Sequence, residues 1–230
     1  MPKFFTSRRS ILAAGVMVLS GALTACSDTT SPVASSPQMS GYLTTSAAVL
    51  RSGVIDFKVM YPKMSTQIPS MTTRGDTTIQ KFTVNPPDGK IITFGKTSGH
   101  TIAIPANTLC DPKLNTYGPS EWLKPCVLAK SSISFEVRTW NDAQGRPHAE
   151  FYPAIRFSPT ALLPVSLYFK DTQLTNFSTV EIPYCNSANT CINEGATDPL
   201  LRTYATPASG GGYWVFRALR HFSGYNVTAF

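Results

Sequence analysis

Proline punctuation constrains this chain more than any other feature. Eighteen prolines are spread through the sequence, and between them no long stretch keeps apolar residues at helical spacing. Each proline removes a backbone donor and clashes with the preceding helical turn, so long helices have no room to form. Short β-branched and aromatic runs recur instead, separated by turn signals such as Pro86-Pro87-Asp88-Gly89, Asn141-Asp142-Ala143-Gln144-Gly145 and Gly210-Gly211-Gly212. The pattern predicts strands at 53–60, 78–84, 90–94, 100–104, 132–140, 148–157, 165–170, 179–182, 200–205, 213–218 and 224–230. Alternation is clearest where Ile133, Phe135 and Val137 oppose Ser134, Glu136 and Arg138. The Ser/Thr/Pro-rich stretch 62–77 reads as a long loop. Many short strands with regular turns indicate an all-β chain of sandwich or barrel type.

The first 25 residues have a different character. Lys3, Arg8 and Arg9 precede the apolar run 11–22, and Leu23-Thr24-Ala25-Cys26 follows. A basic start, a short apolar run and small residues at a cut site form an export signal. The run is shorter than the roughly 20 apolar residues a membrane-spanning helix needs. Leu23-Thr24-Ala25-Cys26 resembles the lipobox of bacterial lipoproteins at all four positions. The resemblance implies cleavage before Cys26, a diacylglyceryl thioether on its sulfur, and acylation of the new amine. Two or more acyl chains give stable membrane anchoring. Ser27 rather than Asp after Cys26 implies an outer-membrane address. Ser7-Arg8-Arg9-Ser10-Ile11-Leu12 also resembles a twin-arginine signal. A plain basic leader suits a domain whose disulfides form only after export. Residues 26–41, SDTTSPVASSPQMSG behind the cysteine, are polar and aperiodic and read as a flexible tether. The expected domain spans 42–230, and 42–51 is read as a turn of helix or an irregular lead-in.

Removing the leader takes three of 20 basic residues and none of 13 acids, leaving 17 − 13 = +4. That modest charge argues against a nucleic-acid partner. Setting Cys26 aside leaves Cys110, Cys126, Cys185 and Cys191, an even number with three alternative pairings. Pairing Cys110 with Cys126 and Cys185 with Cys191 is favoured, because each pair flanks a polar, turn-rich segment and closes a short loop. A metal site is the rival reading, but Cys-x-x-Cys is absent and His100, His148 and His221 are the only histidines. No metal or cofactor is expected.

A further resemblance starts at Gly99-His100-Thr101-Ile102-Ala103-Ile104-Pro105-Ala106-Asn107-Thr108-Leu109, which is similar to the opening of ZU5-type β-sandwiches. Asn107 stands where that family has glycine, a mild departure because asparagine tolerates positive φ. Phe151–Phe157 with Pro164–Phe169 resembles the family's middle strands, and His221-Phe222-Ser223-Gly224-Tyr225 its closing strand. The resemblance covers about 94–230 and implies an Ig-like or ZU5-like antiparallel sandwich used for protein interaction or as a structural module. It also implies a chemical alternative. In some relatives of this fold a serine attacks the preceding carbonyl at His-Phe-Ser, which here would make Ser223 the nucleophile and His221 the proton-transfer group on the Phe222–Ser223 bond. The bland alternative has these residues turn into the last strand with Phe222 and Tyr225 in the core.

Other chemistry is sparse. His148 and Glu150 share a strand face. Asp111, Asp142, Asp171, Glu194 and Asp198 are scattered among turns without calcium-loop spacing. Gly210-Gly211-Gly212 precedes a strand, not a phosphate-cradling helix. Tyr117, Trp122 and Trp140 are candidate binding aromatics, although Trp122 inside the Cys110–Cys126 loop also suits a small satellite core. The expectation is a non-catalytic, lipid-anchored envelope module with a protein partner, and a carbohydrate-binding surface module is the alternative.

Overall fold

The computed structural model describes residues 55–97, 99–175, 178–186 and 190–229. The expected leader, the lipidated Cys26, the tether and the lead-in 42–51 lie outside the described residues. One helical turn, α1 (Phe57–Met60), comes first. β1 (Thr66–Gln67), β2 (Met71–Arg74), β3 (Thr77–Val84), β4 (Lys90–Phe94) and β5 (His100–Ile104) follow. Next come β6 (Ile133–Asn141), β7 (Pro147–Tyr152), β8 (Val165–Asp171), β9 (Val180–Glu181), β10 (Tyr184–Cys185) and β11 (Cys191–Ile192). β12 (Tyr204–Pro207), β13 (Tyr213–Leu219), β14 (Gly224–Asn226) and β15 (Thr228–Ala229) complete the set.

The strands form an all-β sandwich. One sheet has six strands in the order β1-β4-β5-β8-β13-β12, and the other has seven in the order β11-β10-β14-β7-β6-β3-β2. β9 and β15 form a separate two-stranded pair. Most pairings are antiparallel, while β1 runs parallel to β4. The core lies between the sheets, with Phe82, Phe135, Val137 and Phe151 from one packing against Ile92, Phe94, Leu167 and Phe169 from the other. Phe222 stacks on Phe151 at 4.5 Å and meets Phe135 and Phe157 edge-on.

The six-stranded sheet is buried on its other face as well. Ile91, Ala103, Tyr168 and Phe216 form a second cluster there with Tyr61, and Phe57 and Met60 pack onto it. Burial of both faces explains the nearly continuous apolar reading of β8, whose burial pattern hardly alternates. The seven-stranded sheet keeps a polar outer face, and β3 and β6 alternate accordingly.

Several boundaries differ from the sequence expectations, each for a local reason. Of the strand expected at 53–60, Phe57–Met60 is instead α1, because the Asp56 carboxylate accepts from the Lys58 and Val59 amides and caps a turn, and 53–54 lie outside the described residues. The loop expected at 62–77 contains β1 and β2, sheet-edge strands of mostly exposed residues that leave no apolar alternation to read. The strand expected at 148–157 ends at Tyr152, before Pro153, which has no amide to donate. At 200–205 a 3-10 turn, Pro199–Leu201, capped by Asp198 precedes β12. The final run divides into β14 and β15, because β14 pairs with β7 and β10 whereas Thr228–Ala229 pairs with β9.

Both disulfides have the favoured pairing, Cys110–Cys126 and Cys185–Cys191. Asn107 adopts a positive φ of 57°. Nearby Gly89, at φ 64°, is obligatory, since an added Cβ would lie 2.5 Å from the Ile104 carbonyl oxygen.

Candidate functional site

The densest polar chemistry lies under the Cys110–Cys126 loop, around His221. Arg217 on β13 points inward with its side chain fully buried. Its Nη2 donates to Glu194 Oε2 at 2.8 Å, Nη1 to the Ile182 carbonyl at 2.6 Å, and Nε to the Ala218 carbonyl at 3.1 Å. Glu194 opens a 3-10 turn, Glu194–Ala196, where the Asn193 side chain accepts from the Gly195 amide. Its second oxygen lies 3.0 Å from His221 Nε2. Glu194, read from sequence as one acid among scattered turns, is therefore buried at the centre of a network.

Burial favours a neutral Glu194, but His221 and Arg217 outweigh it and hold the carboxyl below its ordinary range. Burial also pushes the His221 pKa down, and the partial compensation by Glu194 does not restore it. Near neutral pH the arrangement is therefore an ionised Glu194–Arg217 pair with a neutral imidazole whose Nε2–H donates to the carboxylate. Nδ1 faces two phenols, Tyr117 at 3.2 Å and Tyr225 at 3.3 Å. Burial raises both phenol pKa values, so both phenols stay protonated. Tyr225 donates to the His221 carbonyl at 2.6 Å, and Tyr117 donates to the Phe222 carbonyl at 2.8 Å.

The loop above is fastened to this network. Trp122 stacks on His221 with ring centroids 3.7 Å apart and meets Tyr184 edge-on. Tyr117 packs edge-on against both Trp122 and His221. Arg156 runs beneath the loop and donates to the carbonyls of Glu121, of Lys124 at 2.8 Å and of Pro125 at 3.3 Å. Tyr117 and Trp122, expected as candidate binding aromatics, thus turn onto the sandwich, Trp122 half-buried and Tyr117 still 39% exposed. Leu114, Leu123 and Val127 in the same region stay at least half exposed, at 66%, 67% and 50%.

The geometry around Phe222–Ser223 has one element that suits acyl chemistry, a phenol donating to the carbonyl a serine would attack. Other elements oppose it. Both His221 nitrogens face groups other than Ser223, the Phe222 ring is fully buried in the core, and the Phe222 amide bonds to the Ile155 carbonyl.

Of the remaining sequence candidates, Trp140 lies on the outer face of the seven-stranded sheet, stacked on its cross-strand partner His148 at 5.2 Å. His148 and Glu150 do share that face, but His148 Nε2 lies 3.5 Å from Asp142, and Glu150 accepts from Tyr152 Oη. Asp111, Asp142, Asp171 and Asp198 each accept amide hydrogen bonds within their own turns. No group of three or more His, Cys, Asp or Glu positioned for a metal occurs among the described residues. No family model, curated protein or solved structure matches this chain. Sequence reasoning missed Glu194, Arg217 and Arg156. Its available signal was the presence of charged residues inside otherwise apolar or aromatic runs, as in Trp214-Val215-Phe216-Arg217-Ala218-Leu219 and Ala154-Ile155-Arg156-Phe157.

Proposed function

We propose that this chain is a lipid-anchored envelope protein whose sandwich is a non-catalytic interaction module, with the Cys110–Cys126 loop as its protein-binding element. One observation carries the reading: a loop closed by a disulfide and held down by Arg156, Tyr117 and Trp122 leaves Leu114 and Leu123 exposed, with Val127 exposed just beyond the bridge. Apolar side chains on a loop that is already ordered bind with little further entropy cost, which favours a protein surface as the partner. Beneath it Glu194 is held by Arg217 and His221, and Arg156 donates to loop carbonyls, which supports a role in placing the loop and not in a reaction. The lipobox resemblance at Cys26 supplies the membrane attachment.

The test uses photo-cross-linking from position 120 in intact cells, with Leu114→Ser and Leu123→Ser as controls. A discrete cross-linked protein that disappears in both variants, with unchanged thermal unfolding, supports the reading. An identical adduct pattern in all three chains contradicts it. Membrane attachment is checked separately, since Cys26→Ser should move the protein from the membrane fraction to the soluble fraction.

A second reading is self-cleavage at Phe222–Ser223, favoured by the hydrogen bond from Tyr117 to the Phe222 carbonyl. Denaturing mass spectrometry of the mature protein separates the two readings. An intact chain ending at Phe230 eliminates cleavage, whereas a released 223–230 peptide that is lost in Ser223→Ala establishes it.

A further inference from the structure

Trp140 stands apart from the loop just described and is the common wall of two clefts. The first, about 500 Å³, opens between the sheet ends, where Asp76, Thr97, Asn141 and Lys170 line it. The second, about 430 Å³, lies over the outer sheet face and is lined by Glu150, Asn186 and Asn226 beside the Cys185–Cys191 bridge. Both volumes fall in the range of small-molecule sites.

The platform is preorganised. Trp140 and His148 are direct cross-strand partners, and their rings lie 22° from parallel, so the imidazole backs the indole. Asn226 continues the same cross-strand row, opposite His148. Gly224, which lines the second cleft, lets β10 and its disulfide approach closely, since an added Cβ would lie 2.8 Å from the Cys185 carbonyl oxygen. The disulfide fixes the rim on that side.

The chemistry of the lining selects the ligand class. An apolar peptide would need an apolar trough, and single-stranded nucleic acid a basic track. Here one cleft carries Lys96 and Lys170 with Asp76, a net charge of only +1, and the other presents Glu150 with amide side chains. Amides, hydroxyls and charges of both signs, arranged around one aromatic ring, suit a ligand with many hydroxyls and one apolar ring face. We propose that this face binds a saccharide chain, one sugar ring stacked on Trp140 and its neighbours hydrogen-bonded in the two clefts. The site is separate from the loop assigned to a protein partner and does not depend on that assignment.

The test is calorimetric titration of the mature protein with chitotetraose, cellotetraose and maltotetraose. Saturable binding of at least one is expected, weakened about ten-fold or more in Trp140→Ala. Absence of saturable binding to all three, or wild-type affinity in Trp140→Ala, overturns the proposal. If Trp140→Ala does not fold, Asn226→Ala and Asp76→Asn replace it. Each is expected to weaken binding about three-fold, and wild-type affinity in both overturns the proposal. Leu123→Ser should leave the titration unchanged, and saccharide binding by a chain whose loop gives the same adducts with or without Leu123 separates failure of the loop reading from failure of this one. A cross-linked protein captured from position 140, with no sugar binding, counts against the saccharide.

Discussion

The two disulfide loops are closed by the same bond but held by different means. Between Cys110 and Cys126, Arg156 caps loop carbonyls from below, Asn115 bridges to the Val127 backbone in both directions, and Trp122 stacks on a buried histidine. Between Cys185 and Cys191, the bridge joins directly opposed residues of β10 and β11, and the described ends of the loop are tied by Asn186 and Thr190. A disulfide acts mainly on the unfolded chain, so it limits how far a loop opens without deciding where it rests. Resting place comes from satisfied carbonyls and buried rings. The first loop has these and becomes part of the fold, while of the second loop's described residues Thr190 and Cys191 are exposed at a sheet edge.

Four experiments test that contrast. The largest effect is expected from Glu194→Ala, which leaves the Arg217 charge buried without its carboxylate. Breaking such a pair costs about 3–5 kcal/mol, to be read from denaturant unfolding, and a loss below about 1 kcal/mol would show that the first loop does not depend on this floor. Replacing both cysteines of each bridge by serine comes next. The chain-entropy relation gives about 3 kcal/mol for Cys110–Cys126 and about 2 kcal/mol for Cys185–Cys191, so equal or reversed losses would break the comparison.

Arg156→Ala is expected to cost about 1–3 kcal/mol, because several loop carbonyls lose a donor. Its decisive readout is hydrogen exchange, which should accelerate in 111–127 and remain unchanged in 186–190. The smallest effect is on pH. His221 and Glu194 under the first loop both titrate below their ordinary values in the folded chain, as does His100, lowered to about 4 by burial. The unfolded chain binds protons on histidine near pH 6.5, where the folded chain does not. Stability should therefore be level above that pH and fall as pH drops toward 4. His100→Asn should flatten part of the slope. His100 Nδ1 accepts from the Lys170 amide at 3.1 Å, which requires that nitrogen to be unprotonated. A stability curve level down to pH 4 would remove this account.

The legible part of the fold lay where one face is wet and the other dry. β3 and β6 alternate because the outer face of their sheet meets solvent, and their limits differ by one residue at each misplaced end from those expected. β4 and β5 coincide with expectation because apolar runs end at turns. Misreadings fell where backbone pairing, not side-chain burial, makes the element, as in the edge strands β1 and β2. They also fell where one capping side chain converts an apolar run into a turn, as Asp56 does before α1. The aromatic candidates divided for a related reason. Tyr117, Trp122 and Trp140 look equivalent as letters near loops, but only Trp140 projects from an outer sheet face beside open clefts.

Prolines and strand-length apolar runs determined by themselves that this domain is built of short strands, and the cysteine spacing favoured, without fixing, two small loops. Those are local quantities: backbone donors lost, burial period, and chain distance between thiols. Only the tertiary structure decided that Glu194 meets His221 across 27 positions and Arg217 across 23, or that Tyr117 reaches the Phe222 carbonyl from 105 residues away. Such contacts depend on strand order and register. A charged residue's burial is then settled by which partner the topology brings to it, and no spacing in the chain records that partner.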